Sequence, residues 1–147
     1  MTLLALEPLL KTHLAQQLGS DVVGVFTADD LNGVRNRSQL SPSVQIYYES
    51  TNVTKQSQGL IYATQEWHTV AVVRNAQQSG SNEQVRVNAD TLLDSIIAAL
   101  HHWQPDSYQP FELVGAGRPA YSPAVGYFPL TWRTARQIRS SQLCASS

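Results

Sequence analysis

The four histidines are the residues of this 147-residue chain whose chemistry is most versatile. His101 and His102 are adjacent, and neighbouring residues on a helix point about 100° apart, so they cannot readily share a metal ion. His68 lies in an apolar segment and His13 on the flank of a helical stripe, where a single histidine is more often structural than catalytic. The histidines therefore predict neither a metal site nor a general base.

Motifs for nucleophilic catalysis or phosphate binding are missing from the sequence. It contains no Gly-x-Ser-x-Gly elbow, and the one cysteine, Cys144, has no catalytic motif around it. The glycines at 115 and 117 lead into Arg118-Pro119 rather than into a helix, which predicts a turn and not a nucleotide loop. Asp29 and Asp30 lack the further acidic ligands that a calcium loop needs. We therefore expect no catalytic, cofactor-binding or metal-ligating residues.

Charge is sparse and balanced along the chain. Charged residues make up 14% of it, and 10 basic against 11 acidic side chains give a formal net charge of −1. Proteins that grip nucleic acid usually carry a basic surplus, so tight DNA binding is disfavoured. All basic residues except Lys11 and Lys55 are arginines, which are enriched at protein interfaces where lysine is depleted. The sequence lacks the apolar run of about 18 residues that spans a bilayer, so we expect no membrane partner.

The hydrophobic pattern predicts a single α+β domain over residues 1–139 and a flexible tail over 140–147. Leucines at helical spacing predict a helix from near Glu7 to Leu18, and a second apolar stripe predicts a helix from Asn88 to Trp103. Strands are predicted at 22–26, 43–49, 60–74, 111–114 and 127–138. Both helices must bury their stripes, so we expect two layers: a mostly antiparallel or mixed sheet of four to five strands, with both helices on one face.

One face of this sheet is then left for another molecule. We expect large aromatic side chains there, too many to leave uncovered in a monomer: Tyr62, Trp67, Tyr127 and Trp132. Two polar segments, Thr27–Pro42 and Asn75–Gln84, are long and aperiodic, as functional or mobile loops are. The arginines of the last predicted strand have two interpretations. They either protect a solvated edge strand with charge or anchor a neighbouring subunit. The candidate interface residues are Asp29, Asp30, Arg35, Arg37, Trp67, Trp132, Arg133 and Arg136.

The order and local character of these elements resemble the tail terminator proteins of long-tailed bacteriophages and prophages. The resemblance includes the opening leucine-rich helix ending at Leu18-Gly19, a short valine-rich strand, and the strand Val44–Tyr48 between two polar loops. It continues through Glu66–Val73 and an Ile/Leu helix to the closing segment Tyr127–Arg133. The features cover most of the chain but include no invariant catalytic motif.

The resemblance implies a structural virion protein without a cofactor. It implies a homo-hexameric ring on the head-proximal end of the tail tube, which ends tube polymerisation and gives head-completion (connector) proteins a docking surface. The expected partners are the chain itself, the tube protein, the head-completion proteins and the tape measure protein, while DNA crosses the lumen without specific binding. The expected location is the virion neck, and the host cytoplasm during assembly. The alternatives are another neck component and a small α+β enzyme or ligand-binding domain.

Overall fold

The computed structural model describes residues 4–32, 41–74, 83–122 and 125–139. Helix α1 spans Leu6–Leu18, followed by a 3-10 turn over Gly19–Asp21, strand β1 over Gly24–Thr27 and the four-residue helix α2 over Ala28–Leu31. Two long strands follow, β2 over Ser43–Ser57 and β3 over Leu60–Arg74. The remaining elements are α3 (Glu83–Leu100), β4 (Glu112–Ala116), β5 (Ala120–Tyr121) and β6 (Val125–Arg139).

Helix α1 is held by one buried row of leucines. They recur every four residues, which places them on one side of a helix, and each is at most 3% exposed: Leu6, Leu10, Leu14 and Leu18. Pro8 falls in the first turn, where its missing N–H breaks no helical hydrogen bond. The helix ends at Gly19, whose φ of 53° suits a residue without a Cβ. The predicted start near Glu7 and the predicted end at Leu18 are confirmed.

The strands form one six-stranded mixed sheet in the order β1-β2-β3-β6-β4, with β5 also paired to β6. Only β1 and β2 are parallel; the other pairs are antiparallel. Strands β3 and β6 pair without interruption over all 15 residues of each, from Leu60 opposite Arg139 to Arg74 opposite Val125. This long ladder is the central axis of the sheet.

Helices α1 and α3 cover one face of the sheet and enclose the hydrophobic core with it. The leucine row of α1 and the apolar stripe of α3, including Ile96 and Leu100, join a cluster with the inward-facing residues of β2, β3 and β6. His13 connects the two helices: its ring is stacked on Trp103, with centroids 4.1 Å apart, and its Nε2 lies 2.8 Å from the carbonyl oxygen of Ala99. The α+β prediction is confirmed, and His13 has the structural position expected of it.

The two tryptophans contradict the expected aromatic face. Trp67 and Trp132 are directly opposite each other on β3 and β6, and both are completely buried under the helices. Strand side chains alternate between faces, so the even-numbered β3 residues and odd-numbered β6 residues face away from the helices, while these two face the core. The tryptophan indoles therefore offer no accessible surface to another subunit. Tyr62 and Tyr127 do lie on the open face and are half-buried there.

Several predicted boundaries also shift. Strand β2 continues to Ser57 instead of ending at 49, because the polar segment 50–57 pairs with β3 as one arm of a hairpin whose turn is Gln58-Gly59. Helix α3 begins at Glu83 and ends at Leu100, earlier than predicted at both ends. The sheet has six strands rather than four to five, since the Pro- and Gly-rich region also contains β5. Of the two predicted loops, residues 28–31 form α2 and residues 83–84 begin α3. Residues 33–40 and 75–82 of these predicted loops and the predicted tail 140–147 lie outside the described residues.

Replacement of Thr69 by Val should destabilise the fold. Thr69 is completely buried, and its Oγ1 accepts a hydrogen bond of 3.0 Å from Trp132 Nε1. Valine has a similar shape but cannot accept this bond, and a buried donor left unsatisfied costs about 1–3 kcal/mol. The free energy of unfolding, measured by urea denaturation, should fall by that amount. Thr64→Val, on the open face of the same strand, is the matched control and should have little effect; equal losses in the two variants would contradict this account.

Candidate assembly surface

The face of the sheet opposite the helices presents charged side chains that bind one another across strands. Glu49 Oε2 lies 3.1 Å from Nε2 of His68, and the Nδ1 of the same imidazole lies 3.1 Å from Thr131 Oγ1. Arg133 Nη2 donates to Glu66 Oε2 at 3.2 Å from the neighbouring strand. Both acidic groups therefore have a nitrogen partner within the subunit. These interactions tie β2, β3 and β6 together and hold the exposed ends of the side chains in place.

The apolar half of the open face lies toward β1 and β5. Its main side chains are half-buried: Phe26, Val70, Tyr127 and Pro129. Gly24 lies beneath the Phe26 ring, where a Cβ would come within 2.8 Å of the ring atom Cζ. Gly117 is similarly close to Pro129, and its N–H donates to the carbonyl of that proline. The open face is therefore an apolar patch joined to a polar patch of paired charges.

The two candidate arginines of β6 have different surroundings. Arg133 is exposed and bonded to Glu66. Arg136 is half-buried: its Nη1 donates to the hydroxyl of Tyr108 at 2.8 Å, and its guanidinium carbon lies 4.8 Å from the centroid of the tyrosine ring. Arg136 thus fastens the segment after α3 onto the sheet, and Arg133 is the more accessible of the two for a partner.

The acidic pair Asp29 and Asp30 lies in the first turn of helix α2. Asp30 completes a capping box: its carboxylate accepts from the Thr27 backbone N–H at 2.9 Å, and the Thr27 hydroxyl accepts from the Asp30 N–H. The same carboxylate bonds Lys11 Nζ at 2.7 Å, which links α2 to α1. Asp29 is exposed. Arg35 and Arg37, predicted together with them, lie outside the described residues.

The hydrogen bond from Lys11 is the main reason why the pKa of Asp30 is lowered, and the backbone N–H of Thr27 adds to it. Both interactions favour the charged carboxylate. Because the folded-state pKa is below the unfolded value, the stabilisation is present above the unfolded pKa and disappears as the pH falls through the folded one.

Two stretches of free sheet edge among the described residues, on β2 and on β4, were not predicted from the sequence. Strand β1 covers β2 only along Ser43–Ile46, so among the described residues no strand pairs with the outer edge of β2 beyond that point. Strand β4 forms the opposite edge, and all five of its residues are exposed. Exposed apolar side chains lie on both edges: Val53 on β2, and Leu113 and Val114 on β4. The predicted strand ended at 49, because the polar composition of 50–57 concealed the edge of β2.

His101 and His102 follow the end of α3 and are exposed, as expected for imidazoles at a helix end. Within the described ranges, no three His, Cys, Asp or Glu side chains are grouped as metal ligands. None of the helices in these ranges combines the length and the apolarity needed to cross a membrane.

An open cavity of about 370 Å³ lies between α3 and the end of β3, beside Arg74 and Thr91.

Removal of the Lys11 ammonium should raise the pKa of Asp30 toward its ordinary value. In a Lys11→Met variant the carboxylate keeps its Thr27 bonds but loses the cation, so its pH titration followed by NMR should move upward without reaching the model-peptide value. Lys55→Met, on the far part of β2, removes an equal charge and serves as the control. An Asp30 midpoint that is the same in wild type and Lys11→Met would show that the ion pair does not hold in solution.

Comparison with known protein families gives a match of nearly full length. No curated protein sequence matches the chain. The family described as phage tail terminator protein matches residues 1–142, which is nearly the whole chain. That family consists of structural tail proteins and is not an enzyme family. The chain belongs to the phage tail terminator family and is a structural component of a phage tail.

Proposed function

We propose that the protein forms a homo-hexameric ring that caps the head-proximal end of the tail tube, stops its polymerisation and provides the docking surface for head-completion proteins. The family match over residues 1–142 carries this proposal. The fold supports it, because among the described residues the helices leave one sheet face open, and the outer edges of β4 and of the far part of β2 pair with no strand, so copies and partners can bind there. On this proposal the protein lies in the virion neck, after assembly in the host cytoplasm, and its partners are the tube, head-completion and tape measure proteins.

The accessible charged residues are the proposed contacts. Asp29 and Arg133 are exposed on different parts of the subunit, and Asp30 lies beside Asp29. Arg35 and Arg37 follow in the same connection between β1 and β2. Arginine binds carboxylates through two parallel hydrogen bonds, which makes it an effective anchor for a neighbouring subunit. The two tryptophans are not included because both are completely buried.

We further propose that DNA crosses the lumen of the ring without being gripped. The chain has a net charge of −1, and the open-face residues Arg133 and His68 are each held by a glutamate of the same subunit. Affinity for DNA rises with the number of phosphates that a protein neutralises, and each arginine already bound to a carboxylate contributes less. Weak binding that modest salt abolishes is the expected behaviour.

Deletion of the gene in the phage that carries it should give overlong tail tubes without heads. A tube without its cap has no signal that stops subunit addition, and the head has no surface on which to dock. Electron microscopy of lysates measures tube length and head attachment, and the wild-type gene supplied from a plasmid should restore both. Normal tails joined to filled heads in the deletion would refute the capping role. Tails of normal length that lack heads would instead favour another neck component.

The purified protein, alone or with the tube protein, should form a species six times the 16.2 kDa mass of the chain in light scattering. Arg133→Glu should shift this species toward smaller assemblies, because an exposed cation becomes an anion beside Glu66. Arg86→Glu makes the same charge change on the exposed side of α3 and is the matched control. If the two variants assemble equally well, Arg133 does not contact a neighbouring subunit.

A further inference from the structure

The free edges that the structure describes on β2 and on β4 have complementary geometry. Strand β2 is antiparallel to β3, β3 to β6, and β6 to β4, so β2 and β4 run in opposite directions. When two copies are placed side by side so that their sheets form one continuous sheet with the same face outward, β4 of the first copy lies antiparallel to β2 of the second. This is the arrangement that adjacent strands of an antiparallel sheet require. A contact of this kind uses two different surfaces, so it can repeat from copy to copy and close into a ring.

Both edges carry a register shift of the same size. On β2, Asn52 lies opposite Thr64 of β3 and Lys55 lies opposite Tyr62, so both face the open side of the sheet. The register shifts between Val53 and Lys55. On β4, Glu112 lies opposite Arg133 of β6 and Gly115 lies opposite Thr131, so both also face the open side. The register shifts between Leu113 and Gly115. In each edge two residues, rather than one, separate the open-face positions. Two such strands stay in register only when their shifts coincide.

The register that aligns the shifts also aligns side chains of matching chemistry. It places Lys55 of one copy opposite Glu112 of the next, both on the open face. It places Val53 opposite Val114, two valines that are 51% and 45% exposed in the subunit. Opposite charges and β-branched side chains are favourable cross-strand pairs.

We infer that copies of this chain join head to tail by pairing the edge of β2 from Ser50 to Lys55 with Glu112–Gly117 of the next copy, in the register that puts Lys55 opposite Glu112. This inference rests on the proposed ring function and names the contact that builds the ring. The contact continues the charge row Glu66, Arg133, Glu112 of one copy into Lys55 of its neighbour, so that acidic and basic groups alternate across the boundary. It also covers the edge backbone and exposed valines that would otherwise invite non-specific pairing.

Engineered disulfides test the register directly. The natural thiol is first removed by Cys144→Ser, and then Val53→Cys and Val114→Cys are introduced in separate chains. Within one chain the two edges are three strand spacings apart, at least about 14 Å, whereas a disulfide needs Cα atoms within about 7 Å. A bond between these positions therefore joins two copies. Oxidation of an equimolar mixture should give a heterodimer on a non-reducing gel, and a chain with both cysteines should give a ladder up to the closed ring.

The controls separate this contact from its competitors. A homodimer of Val53→Cys chains, formed in preference to the heterodimer, would mean that β2 edges pair with each other about a two-fold axis and would overturn the inference. Val87→Cys on α3, which is 54% exposed, replaces Val53→Cys as a control for random collision and should cross-link poorly. Val53→Cys reacting no better than Val87→Cys would also overturn it.

A charge swap gives a second, independent test. Lys55→Glu and Glu112→Lys should each weaken ring assembly, by up to about fivefold in the dissociation constant of each contact, and the double variant should recover it. Single variants that assemble like wild type would overturn the register. A double variant whose loss of affinity equals the sum of the losses in the two single variants would also overturn it. A light-scattering hexamer without the 53–114 disulfide would leave the ring standing and refute only this contact. Absence of an assembly phenotype on gene deletion would refute the capping function itself.

Discussion

The pairing of Trp67 with Trp132 is the interaction on which most of the subunit depends. The two indoles lie opposite each other in the middle of the β3–β6 ladder, and both belong to the buried cluster that the helices form with the sheet. Each ring also brings an N–H into the core: Trp132 Nε1 donates to Thr69 Oγ1, and Trp67 Nε1 lies 3.4 Å from Gln65 Oε1. Two large side chains at one register position leave little choice of strand pairing, because a shift of either strand by one residue would move its tryptophan to the open face.

The sequence predicted the layers of the fold better than it predicted the surface. The leucine row of α1 and the apolar stripe of α3 have a clear helical period, so both helices and their common face could be predicted. Trp67 and Trp132 were misplaced because strand alternation fixes which residues share a face but not which face the helices cover. That choice depends on long-range packing. Tyr62 and Tyr127 were assigned to the open face correctly.

The free edges could not be recognised before the topology was known. Segment 50–57 is polar and lacks large apolar residues apart from Val53, which is typical of a turn as well as of an edge strand. Only its pairing with β3 shows that it is extended, and only the sheet order shows that its other side is open. Strand β4 was predicted at nearly its observed position, but its place at the opposite edge follows from its pairing with β6. The side chains of these edge residues are chemically ordinary, and the residues matter because of their position at the edges of the sheet.

The central place of β6 determines when the subunit can complete its fold during synthesis. This strand is the last described element, yet it lies between β3 and β4 and holds β5 as well. Until the ribosome has produced it, β3 has a free edge along its full length, Trp67 lacks its partner, and β4 and β5 have no strand to join. The sheet therefore closes by contacts between residues some 50 to 80 positions apart, and such non-local contacts slow folding. Nascent chains cannot enter the assembly before β6 has emerged, because their sheet is completed only then.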